Sequence, residues 1–145
     1  METGMLHLHS ILRWIILLLL LVGIYQAFSK KESIKSTSLW LMIAAHTMLL
    51  IGLYQLIWGR FGISKGLPPG EELMKNKFYR FFWVEHPALM ILAIIIITIA
   101  RGKAKVLNYK TTSWLLLIAL IFLLVAIPWP FREVGAGRTW LPGMK

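Results

Sequence analysis

The residues able to do chemistry in this chain are few and lie in apolar surroundings. They are His9 and Arg13, His46, the consecutive Glu85, His86 and Pro87, and Arg132. An imidazole nitrogen can ligate the iron of a non-covalently held haem or relay a proton. A guanidinium offers a planar fork of donors to carboxylates, haem propionates or phosphates. Glu85 and His86 fall inside the run Phe78–Ala100, FYRFFWVEHPALMILAIIIITIA. Ionisable groups are expensive in hydrocarbon, so such a pair marks a functional site by default. Arg80 just before it also fits a site at the headgroup level, where charge costs little.

Those residues must be positioned by membrane helices. Hydrophobic residues make up 58% of the 145, and the mean hydropathy of +0.70 lies outside the range of soluble domains. The expected fold is all-α, a single membrane-spanning domain over residues 1–145. Four apolar runs, at about 8–28, 39–58, 78–101 and 113–129, each approach the ~20 residues that cross a bilayer. Continuous runs favour helices over a barrel's alternation. The first run is longer than the apolar core of a signal peptide, and no basic residue precedes it, so it reads as a retained helix. Short links at 29–38 and 101–112 favour antiparallel neighbours, hence an up-down-up-down four-helix bundle. The link at 59–77 is longer and rich in glycine and proline, and residues 130–145 form a tail that caps the bundle.

Composition excludes several chemistries. With no cysteine, disulfides, thiolate nucleophiles, iron–sulfur ligation and covalent haem attachment are out. The net charge of +10 raises nucleic acid as a partner. However, the basic residues flank apolar runs, where topology signals and contacts to anionic lipid belong. Lys30, Lys31, Lys35, Arg101, Lys103, Lys105 and Lys110 occupy the two short links with one acid, Glu32. The excess of positive charge then sets those links in the cytoplasm and both termini outside. No catalytic constellation appears.

Helical spacing sorts the polar residues by face. On the first helix His9, Arg13, Ile16, Leu20, Gly23 and Ala27 share a stripe that combines polar with small residues, and it faces the bundle. His7 falls away from that stripe. On the third helix Tyr79, Phe82, His86, Met90, Ala93, Ile97 and Ala100 form a comparable stripe. On the second, His46 shares a face with Leu50, Leu53 and Ile57, while Met48, Gly52, Gln55 and Gly59 form a separate packing face. At ~1.5 Å per residue, His86 lies roughly 8 Å inside the terminus side. His9 lies near that surface, and His46 lies roughly 18 Å deep. His9 with His86, and His46 with His86, are then each offset by several ångströms. Pro87 lies within a span and cannot donate to the carbonyl of Trp83, so a kink is expected there. Arg13 is the natural partner for Glu85. The tail brings Arg132, Glu133 and Arg138 over the mouth of the bundle.

At these residues the chain resembles a family of small bacterial four-helix membrane proteins known as "cytochrome b". The matching blocks are LHLHSILRW (6–14), AAHTMLLIGLYQ (44–55), YRFFWVEHPALM (79–90) and IPWPFREVGAGRTW (127–140), which together touch every helix. The resemblance implies a haem-b-binding electron carrier in the bacterial inner membrane, exchanging electrons with quinone or a larger respiratory complex. His86, His46 and His9 are its candidate iron ligands, the pair unassigned. Arg13 and Arg132 would lie near the propionates. A second reading is a cofactor-free accessory or assembly subunit, in which Arg13–Glu85 and the histidines form a buried polar network. A small transporter or proton path ranks lower, because the buried acids number one. An oligomer fits any of these readings.

Overall fold

A computed structural model describes residues 2–135 and 140. Four long helices dominate it: α1 (Glu2–Phe28), α2 (Ile34–Trp58), α3 (Lys77–Lys105) and α4 (Tyr109–Ala126). All four are long and apolar enough to cross a bilayer, and no strand occurs among the described residues. The chain is an all-helical, multi-pass membrane protein in which the helices form a four-helix bundle. Around the bundle, α1 packs on α2 and α4, and α3 packs on α2 and α4. Helices α1 and α3 are therefore diagonal partners.

Most helices overrun the apolar stretches that announce them. Backbone hydrogen bonding continues into the polar flanks, where hydropathy falls but helix is not penalised. The links shrink accordingly. Lys30 (φ 52°) and Leu107 (φ 56°) each adopt the left-handed conformation that turns the chain sharply after a helix. Asn108 opens α4 by accepting from the Thr111 amide, as an N-cap should. The C-terminus of α4 is the exception and ends early, at Ala126. Ile127 is extended (ψ 127°) because Pro128 disfavours helical geometry in the residue before it.

The core runs along the bundle axis through Ile16, Leu20, Leu41, Met48, Ile97, Leu116 and a series of alanines. Ala27, Ala45, Ala93, Ala100, Ala119 and Ala126 are all buried. Small side chains let helices approach where lipid offers no hydrophobic drive. Gly23 shows how close: a Cβ there would stand 3.2 Å from Leu116 Cδ1. Buried Ser38, Thr112 and Ser113 satisfy their hydroxyls on carbonyls three or four residues back. Outside, residues such as Leu18 and Leu50, 63% and 70% exposed, form the face that contacts lipid. Aromatic groups gather at the two ends. Trp14, Trp129, Phe131 and Trp140 contact one another at the terminus side, and Phe28 packs edge-on against Trp114 at the other.

Pro87 is accommodated by a π-helical turn. Residues Phe81–Glu85 are π-helical, and the His86 amide donates to the Phe81 carbonyl five residues back. The helix widens by one residue in the turn that precedes the proline. Such turns recur at functional sites, and this one delivers His86.

Candidate functional site

At the terminus-side half of the bundle the core opens into a cavity of about 630 Å³, within the size range of small-molecule sites. Helix α1 contributes His9, Ser10 and Arg13; α2 contributes Met48, Gly52 and Gln55, with Gly59 just past its end. Helix α3 contributes Phe82, His86 and Met90, and the segment after α4 closes one side with Ile127, Pro128 and Val134. The walls are mostly apolar, with a few convergent polar groups.

The two histidines approach across the diagonal. The ring centroids of His9 and His86 are 6.3 Å apart, with the planes inclined at 50°. The depth offset expected from the sequence is reduced, for two reasons. Helix α1 begins at Glu2, so His9 is seven residues in, about 10 Å along the axis. Helix α3 begins at Lys77, so His86 is nine residues in, about 14 Å. The axial positions are close, and the rings close the remaining gap.

His86 is held in a defined tautomer. Its Nδ1 lies 2.7 Å from the Ala126 carbonyl oxygen. A carbonyl only accepts, so Nδ1 carries the proton and the lone pair of the neutral ring is on Nε2. A backbone carbonyl fixing one ring nitrogen in this way is the usual support of a metal-ligating histidine. Ala126 is available because α4 ends there, so the proline that stops α4 also creates the acceptor. Phe81 and Phe82 pack on the His86 ring at centroid distances of 5.9 and 6.4 Å. On the other side, a Cβ built on Gly52 would lie 3.9 Å from His9 Nε2, so a larger residue there would enter the space beside that imidazole.

The expected partnership of Arg13 with Glu85 does not form. Glu85 Oε1 accepts instead from Arg80 Nε at 2.7 Å. The π turn brings residues five apart to the same side, so a local arginine captures the carboxylate. Arg80 also donates to the Met74 carbonyl, which ties the long link to α3 at the membrane edge. Arg13 turns the other way and donates Nη2 to the Trp140 carbonyl at 2.9 Å, which Trp14 Nε1 also reaches at 3.0 Å. Arg13 Nε and Gln55 Nε2, both on cavity-lining residues, are buried with no hydrogen-bond partner among the described residues.

Arg132 does not line the cavity. Its Nη1 donates to the Val125 and Ile127 carbonyls, and its guanidinium lies 5.2 Å from the Phe81 ring centroid. It caps the carbonyls that α4 leaves open at its C-terminus. Lys77 pairs with Glu133 at 3.0 Å, which fastens the tail to the start of α3. Arg138 falls outside the described residues.

His46 is separated from the other two. Its face, with Leu50, Leu53 and Ile57, is exposed on the outside of the bundle. The opposite α2 face, Met48, Gly52, Gln55 and Gly59, is the one that lines the cavity. Its spacing was visible in the sequence and reads there as packing only. His7 is also exposed. Among the described residues no group of three or more His, Cys, Asp or Glu side chains converges to hold a metal ion. No family model, curated protein or solved structure matches this chain.

Proposed function

We propose that this protein is a haem-b-binding electron carrier, in which His9 and His86 would hold the haem iron. The observation that carries the reading is the separation of the two imidazoles. Two imidazoles ligating one iron from opposite sides, at metal–nitrogen distances of about 2 Å, set their ring centroids roughly 6 Å apart. The rings stand 6.3 Å apart. A porphyrin supplies four of the iron's ligands, so two side chains suffice and no larger cluster is needed. The Ala126 carbonyl orients His86 with its lone pair on Nε2. Arg13 and Gln55 line the same cavity and each carry a buried nitrogen with no partner among the described residues. An unmet buried donor costs about 1–3 kcal/mol, which the polar edge of a ligand would offset. Arg13 is therefore the candidate for the propionates; Arg132 is committed to capping α4, and His46 faces outward.

The bound haem would supply a one-electron redox centre inside the membrane. The excess of lysine and arginine in the two short links supports a reading in which they face the cytoplasm across a bacterial inner membrane, with both termini outside. The cavity then lies near the outer face. Quinone or a larger respiratory complex would be the electron partner. The test is haem content after purification from cells supplied with haem. The reading expects about one non-covalent haem per chain, extractable into acid acetone. Protein that is folded and helical yet takes up none would favour the cofactor-free accessory subunit.

A further inference from the structure

At the end of the bundle opposite the cavity, Arg101 lies about 6 Å inside the end of α3 (Lys77–Lys105). The apolar run stops at Ala100, so Arg101 stands where hydrocarbon gives way to headgroups. Its Nη1 is buried with no hydrogen-bond partner among the described residues, and it forms no ion pair with any of them. The next residue, Gly102, is inside the helix, where glycine is unfavourable relative to alanine. Gly23 and Gly52 each make room for a neighbouring side chain, but a Cβ on Gly102 would meet nothing within 4 Å. Packing within the chain therefore gives Gly102 no role. A bare stretch of backbone beside an unmet guanidinium suits the close approach of a ligand.

Two lysines converge on the same place. Ile91, Ile95 and Thr98 of α3 meet His46 and Leu49 of α2 along one face of the bundle. The helical period carries those stripes on to Gly102 and Lys105 of α3 and back to Lys35, near the start of α2. Lys35 and Lys105 are exposed, and neither forms an ion pair among the described residues. Glu32 is the one acid in the two short links, so the neutralising anion must come from outside the chain. At this level the membrane itself supplies phosphate, which a guanidinium fork receives well. A zwitterionic headgroup carries an ammonium beside its phosphate, and Lys35 and Lys105 would repel it. An anionic headgroup carries none. We infer that Lys35, Arg101, Gly102 and Lys105 form a binding site for one anionic glycerophospholipid, with its phosphate on the Arg101 guanidinium. The site lies at the opposite end of the bundle from His9 and His86, so it stands or falls independently of haem binding.

The test is native mass spectrometry of the delipidated full chain in detergent. It is titrated with phosphatidylglycerol, with phosphatidylethanolamine of the same acyl chains, and with inorganic phosphate. One phosphatidylglycerol should bind saturably, about fivefold or more tighter than phosphatidylethanolamine, and excess inorganic phosphate should not displace it. Arg101→Gln should weaken that binding about fivefold or more. Gly102→Leu should do the same by filling the approach, and it keeps a good helix former in α3 if Arg101→Gln does not fold. Equal binding of the two lipids overturns the proposal, as does binding that neither variant weakens. Displacement by inorganic phosphate would make this a site for a free anion and overturn the lipid. Crosslinking in native membranes that finds an acidic protein segment on this face, with no lipid retained, also overturns it.

Discussion

His9 and His86 come from helices on opposite corners of the bundle, yet their rings stand 6.3 Å apart. Three features of the chain make that approach. The π turn at Phe81–Glu85 takes up Pro87, the early end of α4 frees the Ala126 carbonyl for His86 Nδ1, and Gly52 leaves room beside His9. Each can be perturbed separately.

Gly52 tests the space. A Cβ there meets only His9 Nε2, at 3.9 Å, so Gly52→Ala should fold normally and retain ligand. Replacing a helical glycine by alanine even favours α2 by up to ~1 kcal/mol. Gly52→Leu would enter the cavity. It should keep the helical circular dichroism spectrum and lose most of the bound haem, measured as the haem-to-protein ratio after purification.

Glu85 tests the ion pairing. With side chains 35% and 43% exposed, the Arg80–Glu85 pair should contribute no more than ~1 kcal/mol. A double-mutant cycle on thermal unfolding in detergent should find coupling between Glu85→Gln and Arg80→Gln. The same cycle with Arg13→Gln should find none, because Arg13 donates to the Trp140 carbonyl. Coupling of Glu85 with Arg13 instead would contradict the pairing described.

The architecture was legible in the sequence because hydropathy has a length scale. Runs of ~20 apolar residues, separated by lysine-rich links and by one glycine–proline link, fix the number and order of helices. The 3.6-residue period placed His9, Arg13, Ile16 and Leu20 on the inward stripe of α1, and Met90, Ala93 and Ile97 on that of α3, all of which the bundle covers. Helix ends were less legible, since the backbone continues as helix where hydropathy stops. That error moved His9 to the surface and hid its match with His86. The π turn was hidden as well: Pro87 signals a disturbance but not whether the helix kinks or widens. The partner of Glu85 followed from that widening. In the sequence His46 ranks above the Met48–Gly52–Gln55 face of α2, which reads there as packing; the bundle turns that second face to the cavity and His46 outward, an order hydropathy cannot give where both faces of a helix are apolar.

The cysteine-free sequence makes orientation directly measurable. Single substitutions Lys31→Cys and Lys103→Cys should react from the cytoplasmic side only. Ser64→Cys, in the long link, should react with a membrane-impermeant maleimide added to intact spheroplasts. The reverse pattern would turn the protein over and put the cavity on the cytoplasmic side.

The central claim is tested most directly by the optical and electron paramagnetic resonance spectra of the haem-supplied protein and three variants. The wild type should show a Soret band and a low-spin ferric signal typical of two imidazole ligands. His9→Ala and His86→Ala should each abolish the low-spin signal, leaving high-spin or lost haem, while His46→Ala leaves both spectra unchanged. A folded wild type without a Soret band would contradict the account, as would a low-spin signal that survives both His9→Ala and His86→Ala or disappears with His46→Ala.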